Sequence, residues 1–318
     1  LVDAARRLDA DPATAAVVAG APAAADSARR AGFAAVAADA AGVALQPVPR
    51  ALSAVPDALS SWDTVAALLR DRRLAVFLDF DGTLSPIVDR PDDARMTPSG
   101  GPALARLSAL CPVAIVSGRD LGDVRRRAGV PSLWYAGSHG FEYVSPDGEA
   151  HEHEQAGQAV AALAEAEQQL SARLRDLPGA IVENKRFALA AHYRMVAEQR
   201  ATEVIDAVAE VGAQYPVLRM TGGRKVAELR PNIDWDKGKA LHWLLEQIAP
   251  DDGDVLPLYA GDDLTDEDAL TAIGERGFGV VVRNYELGDR PTAAHVGVDD
   301  PEEFCAVLER VSDLLEEG

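Results

Sequence analysis

Leu74-Ala75-Val76-Phe77-Leu78-Asp79-Phe80-Asp81-Gly82-Thr83-Leu84 is a continuous apolar run that ends in acid. A strand apolar at every position is buried on both faces, as in the middle of a parallel sheet. Asp79 and Asp81 leave its carboxyl end, where open α/β sheets bind their ligands. Gly82 permits a tight exit from the strand. Two carboxylates this close repel and need a cation or a shared proton. A calcium loop is excluded, because it needs glycine at its sixth position and glutamate at its twelfth. Counted from Asp79, Gly82 stands fourth and Arg90 twelfth.

Around this stretch the pattern alternates. Residues 99–110 read as a helix with Leu104, Leu107 and Leu110 on one face, and residues 113–116 and 133–136 as short buried strands. After residue 228 the alternation resumes. Helices are expected at 237–248, 267–273 and 301–315, and strands at 256–260 and 279–282. Strands alternating with helices imply a doubly wound, Rossmann-like α/β domain over residues 71–144 and 229–318. Residues 145–228 have a different texture. A long amphipathic helix at 155–177, strands at 180–184, 187–194, 217–220 and 226–229, and a helix at 197–211 form an inserted α+β unit. In residues 187–194, Leu189, Ala191 and Tyr193 share one strand face, while Ala190, His192 and Arg194 share the other.

Residues 1–60 are alanine-rich, with Phe33 as the one aromatic residue. Residues 15–19 and 33–37 read as short strands around a helical stretch near 27–31, and Pro47, Pro49 and Pro56 mark a linker. This fragment is too small to bury a core alone. It reads as the remnant of an extra N-terminal domain.

The chemistry gathers at strand ends. Gly261-Asp262-Asp263-Leu264-Thr265-Asp266 follows the expected strand at 256–260 and supplies a third carboxylate to Asp79 and Asp81. Hard oxygen ligands without His or Cys point to Mg²⁺ rather than zinc. Ser117-Gly118-Arg119 follows the strand at 113–116 and offers a hydroxyl and backbone amides suited to a phosphate oxygen. Lys237 opens a helix, where an acid is the more usual choice.

Among 318 residues, 31 Lys+Arg stand against 51 Asp+Glu, a net charge of −20. Such a chain repels nucleic acid and anionic membrane, and an anionic substrate would need concentrated positive charge or a metal ion. Cys111 and Cys305 lie outside any paired-cysteine pattern, which disfavours a disulfide framework or a zinc site. With no transmembrane run and no signal-peptide layout, a cytoplasmic location is expected. The oligomeric state is not encoded in any visible pattern.

The order Asp79-Phe80-Asp81-Gly82-Thr83, Ser117-Gly118-Arg119, Lys237-Gly238, Gly261-Asp262-Asp263 resembles the haloacid dehalogenase (HAD) superfamily of aspartate-nucleophile phosphatases over residues 71 to about 315. The insertion lies between the second and third of these motifs, where the superfamily's second type of cap domain sits. Trp134 to Gly140, Val182-Glu183-Asn184-Lys185, His192-Tyr193-Arg194 and Arg224 to Pro231 look like the trehalose-6-phosphate phosphatase family. That resemblance implies hydrolysis of trehalose 6-phosphate to trehalose and phosphate, the last step of trehalose synthesis. Asp79 would be the nucleophile and Asp81 the general acid and base, with Ser117 and Lys237 on the phosphoryl oxygens. It places Mg²⁺ on Asp79, Asp81 and Asp262, supported by Asp263 and Asp266. It assigns Arg119, His139, Gly140, Glu183, Lys185, Arg194, Arg224 and Glu228 to the sugar. The alternatives are a phosphatase for another sugar phosphate, such as sucrose 6-phosphate, and an inactive sugar-phosphate sensor.

Overall fold

In the computed structural model the deciding stretch is strand β4, and the reason is burial on both sides. The structure describes residues 16–18, 35–37, 49–88, 90–223, 225–250, 254–274 and 276–317. Along the chain, β1 (Ala16–Val18) and β2 (Ala35–Ala37) pair in parallel. The helical stretch expected near 27–31 lies outside the described residues. β3 (Arg50–Ala51) comes next, and β4 spans Arg73–Leu78.

β4 sits inside an eight-stranded sheet with β5 (Val113–Val116), β6 (Trp134–Gly137), β7 (Glu142–Val144), β8 (Ala150–Glu152), β13 (Val255–Gly261), β14 (Phe278–Val282) and β16 (Val296–Val298). The order is β16-β14-β13-β4-β5-β6-β7-β8, parallel from β16 to β6 and antiparallel thereafter. Leu74, Val76 and Leu78 face a core built with the helices Trp62–Leu69, Gly100–Leu107, Leu121–Ala128 and Pro301–Glu317. Ala75 and Phe77 face a second core with the helices Lys237–Ile248 and Asp266–Ala272. The doubly wound α/β core expected from the sequence is therefore present. Each fully buried Leu, Val or Phe in it contributes about 1.5–3 kcal/mol.

The second unit is a four-stranded antiparallel sheet in the order β11-β12-β10-β9, made of β9 (Ile181–Asn184), β10 (Leu189–His192), β11 (Leu218–Gly223) and β12 (Val226–Pro231). The helices Val160–Leu174 and Ala201–Gly212 cover one face through Leu163, Ala166, Leu170 and Leu174 and through Val204, Val208 and Val211. Those spacings are the helical period, so one stripe of each helix is apolar. The uncovered face carries a polar row. Thr221 pairs with Glu228, Glu228 with Ala190 and Ala190 with Glu183.

Two local differences from the sequence reading have simple causes. The long helix expected at 155–177 is split into Glu154–Gly157 and Val160–Leu174, and glycine inside a helix is costly. The hairpin β7–β8 extends the large sheet although its sequence lacks an apolar run.

Residues ahead of β4 also belong to this framework. β3 pairs antiparallel with β15 (Pro291–Thr292). The Gly297 N–H donates to the Pro56 carbonyl and the Ala58 N–H to the Gly297 carbonyl, each at 2.8 Å. Arg283 Nη2 donates to the Val55 carbonyl at 3.0 Å.

Candidate active site

Three parallel strands deliver the reactive groups to one sheet edge. Asp79 directly follows β4, Ser117 follows β5 and Asp262 follows β13. The chain then turns sharply, the Gly82 N–H donating to the Ser85 carbonyl at 2.7 Å. Gly82 has φ +87°, and a Cβ there would lie 2.2 Å from the Asp262 carboxyl carbon. Only glycine lets the two acidic loops approach this closely.

Asp79, Asp262 and Asp266 form a buried carboxylate cluster, with one oxygen of each within 4.8 Å of the others. Lys237, equally buried, donates through Nζ to Asp79 Oδ1 and Asp266 Oδ1, both at 2.7 Å. Burial pushes the Asp79 carboxyl well above its ordinary value despite Lys237, and it also raises Asp266. Burial and the neighbouring Asp266 push Asp262 up to about 8. Burial alone would lower Lys237, but Asp266 and Asp79 outweigh it and hold the ammonium charged. With all three carboxyls ionised, one ammonium would leave an excess of negative charge in a buried site. An all-oxygen donor set with that excess fits a hard divalent cation.

Asp266 is the most heavily hydrogen-bonded of the three. Besides Lys237 it accepts from Tyr259 Oη at 2.5 Å and from the backbone N–H groups of Asp262 and Asp263 at 3.1 Å. Asp263 turns outward, and its Oδ1 accepts from the backbone N–H and Oγ1 of Thr265. Asn284 Nδ2 donates to Asp262 Oδ2 at 2.9 Å and Arg290 Nη2 to the Asp262 carbonyl at 2.8 Å.

The Asp81 carboxylate does not join the cluster. Arg119 grips it as a fork, Nε to Oδ2 and Nη2 to Oδ1, both at 2.6 Å. Ser117 is buried, and its hydroxyl accepts from the Arg119 N–H at 3.1 Å.

A cleft of about 560 Å³ runs from Asp79, Asp81 and Lys237 to the polar face of the smaller sheet. Its far wall is charged. Lys185 lies 3.7 Å from Glu183 and 3.6 Å from Glu228, and His192 Nε2 lies 2.8 Å from Glu183 Oε2. Arg230 bonds to Glu228 through Nε at 2.8 Å and also through Nη2. Its hydrogen bond with His192 holds Glu183 below the usual carboxylate range; burial would raise Glu228, but Arg230 and Lys185 hold it below.

Of the residues singled out in the sequence, Asp79, Asp81, Arg119, His139, Glu183, Lys185, Glu228, Lys237 and Asp263 line this cleft. Burial, with the nearby Arg230, pushes His139 well below its ordinary value, so its ring is neutral. Gly140 (φ +88°) instead packs on the helix Lys237–Ile248, where a Cβ would lie 2.2 Å from the Ala240 Cβ. It closes a run of left-handed residues with Ser138 and His139, and Trp235 Nε1 donates to the His139 carbonyl at 3.2 Å. Arg194 is exposed beyond β10 and does not line the cleft. Arg224 lies outside the described residues. Arg230 was not singled out, although strand alternation puts it on the same face as Glu228. Asp123 and Arg126 also line the cleft, and no motif marks them.

Residues 77–302 match the family model described as trehalose-phosphatase. A trehalose-phosphate phosphatase of Mycobacterium avium (strain 104) is 46% identical over 340 aligned positions, covering 99% of this chain and 87% of its own. Two solved structures share the fold. The C-terminal domain of the C. albicans trehalose-6-phosphate phosphatase has a TM-score of 0.65 at 22% identity, covering 81% of this chain and 98% of that one. A haloacid dehalogenase-like hydrolase from Bacteroides thetaiotaomicron has a TM-score of 0.55 at 15% identity, covering 76% of this chain and all of that one.

Proposed function

The chain belongs to the trehalose-phosphatase family, and on that premise we propose that it hydrolyses trehalose 6-phosphate through a phospho-aspartate on Asp79, with Mg²⁺ as cofactor. The observation that carries this reading is the buried Asp79–Lys237 pair opening into a cleft whose far wall is a charged sheet face. In the first step an Asp79 oxygen attacks phosphorus while Asp81 gives its proton to the departing 6-oxygen of the sugar, releasing trehalose. In the second step water attacks the same phosphorus, Asp81 takes its proton, and phosphate leaves with Asp79 regenerated. In this reading Lys237 orients the Asp79 carboxylate and offsets charge on the transferring group, and the Ser117 hydroxyl receives a phosphoryl oxygen. Asp79, Asp262 and the Asp81 carbonyl would hold the cation, with Asp266 ordering the loop around it. When bound, the cation neutralises negative charge where an anionic nucleophile meets an anionic ester.

The inserted unit, its sheet running from β9 to Pro231 at the end of β12, acts in this reading as the cap. Glu183, Lys185, Glu228 and Arg230 offer paired donors and acceptors to sugar hydroxyls, which discriminates far better than apolar contact. Arg119 and His139 complete the sugar side from the core.

The deciding experiment is phosphate release from trehalose 6-phosphate, sucrose 6-phosphate and glucose 6-phosphate, each with Mg²⁺ and with EDTA. The expected result is Mg²⁺-dependent release that is fast from trehalose 6-phosphate and a slow background from the other two. Comparable rates on all three would remove the cap assignment, and release from none by the folded protein would remove the enzymatic reading. Glu228→Gln is expected to lower kcat/KM for trehalose 6-phosphate roughly 10- to 100-fold, the effect of about 1–3 kcal/mol for a buried hydrogen-bonding group left unpaired. Turnover of p-nitrophenyl phosphate, which has no sugar, should stay within about two-fold; equal losses on both esters would exclude a sugar contact.

A further inference from the structure

Arg119 holds Asp81, but a second carboxylate holds Arg119. Asp123, in the first turn of the helix Leu121–Ala128, accepts from Arg119 Nη1 at 2.9 Å and Arg127 Nε at 2.7 Å through Oδ2. Its Oδ1 accepts from Arg126 Nη2 at 3.2 Å. Two of these three arginine side chains are almost buried, Arg119 at 11% exposure and Arg127 at 12%. The remaining donors of both reach one loop. Arg119 Nη2 bonds to the Pro91 carbonyl at 3.0 Å, and Arg127 Nη1 to the carbonyls of Asp92 at 3.1 Å and Ala94 at 2.8 Å. Asp123 is itself fixed, its N–H donating to Asp120 Oδ1 at 3.1 Å.

An acid in the first turn of a helix is ordinarily explained by the helix dipole. That explanation does not cover these contacts. Arg119 precedes the helix, and its fork points across the cleft rim to Asp81 rather than along the helix surface. A guanidinium is rigid in its plane but sits on a flexible stem, so its fork holds a carboxylate only when the stem is anchored.

We propose that Asp123 is a positioning residue that locks the Arg119 guanidinium, so that its fork holds the Asp81 carboxylate at the rim of the cleft. The inference rests on the reading of Asp81 as the acid that protonates the leaving oxygen. The chemistry of leaving groups tests it. An alkyl phosphate departs as an alkoxide and needs that proton, whereas p-nitrophenyl phosphate departs as a stable phenolate and does not.

The experiment compares the wild type with Asp123→Asn on trehalose 6-phosphate, glycerol 1-phosphate and p-nitrophenyl phosphate, with thermal melts alongside. The expected result is a fall in kcat of about 10- to 100-fold on both alkyl esters, with KM little changed and the aryl ester within about two-fold. Asp123→Glu, which keeps the carboxylate, should restore most of the loss. Using glycerol 1-phosphate separates this effect from a sugar contact by Arg119. Equal losses on all three esters, or no loss on the alkyl esters, would overturn the inference. Should Asp123→Asn fail to fold, Arg119→Lys, which keeps the charge but loses the fork, is expected to show the same selective loss on the alkyl esters, with Asp123→Glu near wild type on all three. Asp81→Asn tests the underlying reading separately. If Asp81→Asn slows alkyl and aryl esters alike, the acid role fails; if it is selective and Asp123→Asn is not, only the role of Asp123 fails.

Discussion

Asp79→Asn is expected to cut phosphate release from trehalose 6-phosphate by at least about 10⁴-fold, the scale on which removing a covalent nucleophile acts. The fold should survive. Burial already disfavours the ionised Asp79 carboxyl, so a neutral group of the same shape costs little there. Lys237 keeps a partner in Asp266 at 2.7 Å. Without divalent cations the variant should therefore melt at the same temperature as the wild type or above it, because one of three crowded carboxylates has gone. Phosphate assays and circular-dichroism melts decide this together. Turnover above about one hundredth of wild type would end the assignment of Asp79 as nucleophile.

Lys237→Met is expected to damage stability as well as activity. It leaves Asp79 and Asp266 buried without their shared cation, and breaking such a pair costs about 3–5 kcal/mol. The pH dependence has a definite sign. Carboxyl groups whose folded pKa lies above the unfolded value favour the folded state at low pH, and that stability is lost as pH rises through the folded pKa. Asp262 already contributes this way in the wild type without metal, up to about pH 8. Asp79 and Asp266 share this trend in the wild type, and Lys237→Met, by removing the cation that lowers both, pushes them up further. Its melting temperature should thus fall further below wild type as pH rises through the range in which these buried carboxyls ionise, and Mg²⁺ should recover part of the loss. A deficit independent of pH would mean that lost packing, not charge, is responsible. Activity should drop about 10²- to 10³-fold, as expected when a group that stabilises developing charge is removed.

The sequence carried the groups at strand ends most clearly. Asp79, Ser117 and Asp262 each follow a short apolar run, and the apolar pattern fixes both the strand and the edge at which it stops. Lys237 was legible for a different reason, since a cation at a helix start runs against the dipole. What sequence reading lost lies in pairings between distant side chains. Nothing local says that Asp81 turns to Arg119 or that Asp123 collects three arginines. Arg230 could have been found by extending the alternation of β12 two residues past Glu228. Gly140 was assigned to the sugar through its neighbours in a motif, whereas its backbone shape and its contact with Ala240 account for it in the structure. The β7–β8 hairpin stayed hidden because β7 is only three residues long and begins with the buried Glu142, while the edge strand β8 carries no apolar run.

The bonds from residues 55–58 to Arg283 and Gly297 bear on solubility. β16 is the last strand at one end of the large sheet, and an open strand edge is a template for pairing with another molecule. Pro56, Asp57 and Ala58 occupy that edge through two hydrogen bonds and a parallel bridge to Gly297. The linker thus doubles as an edge guard. Trimming the chain back to the start of the helix Trp62–Leu69 would leave every catalytic side chain in place yet uncover β16, and the cost would be paid in aggregation rather than in kcat.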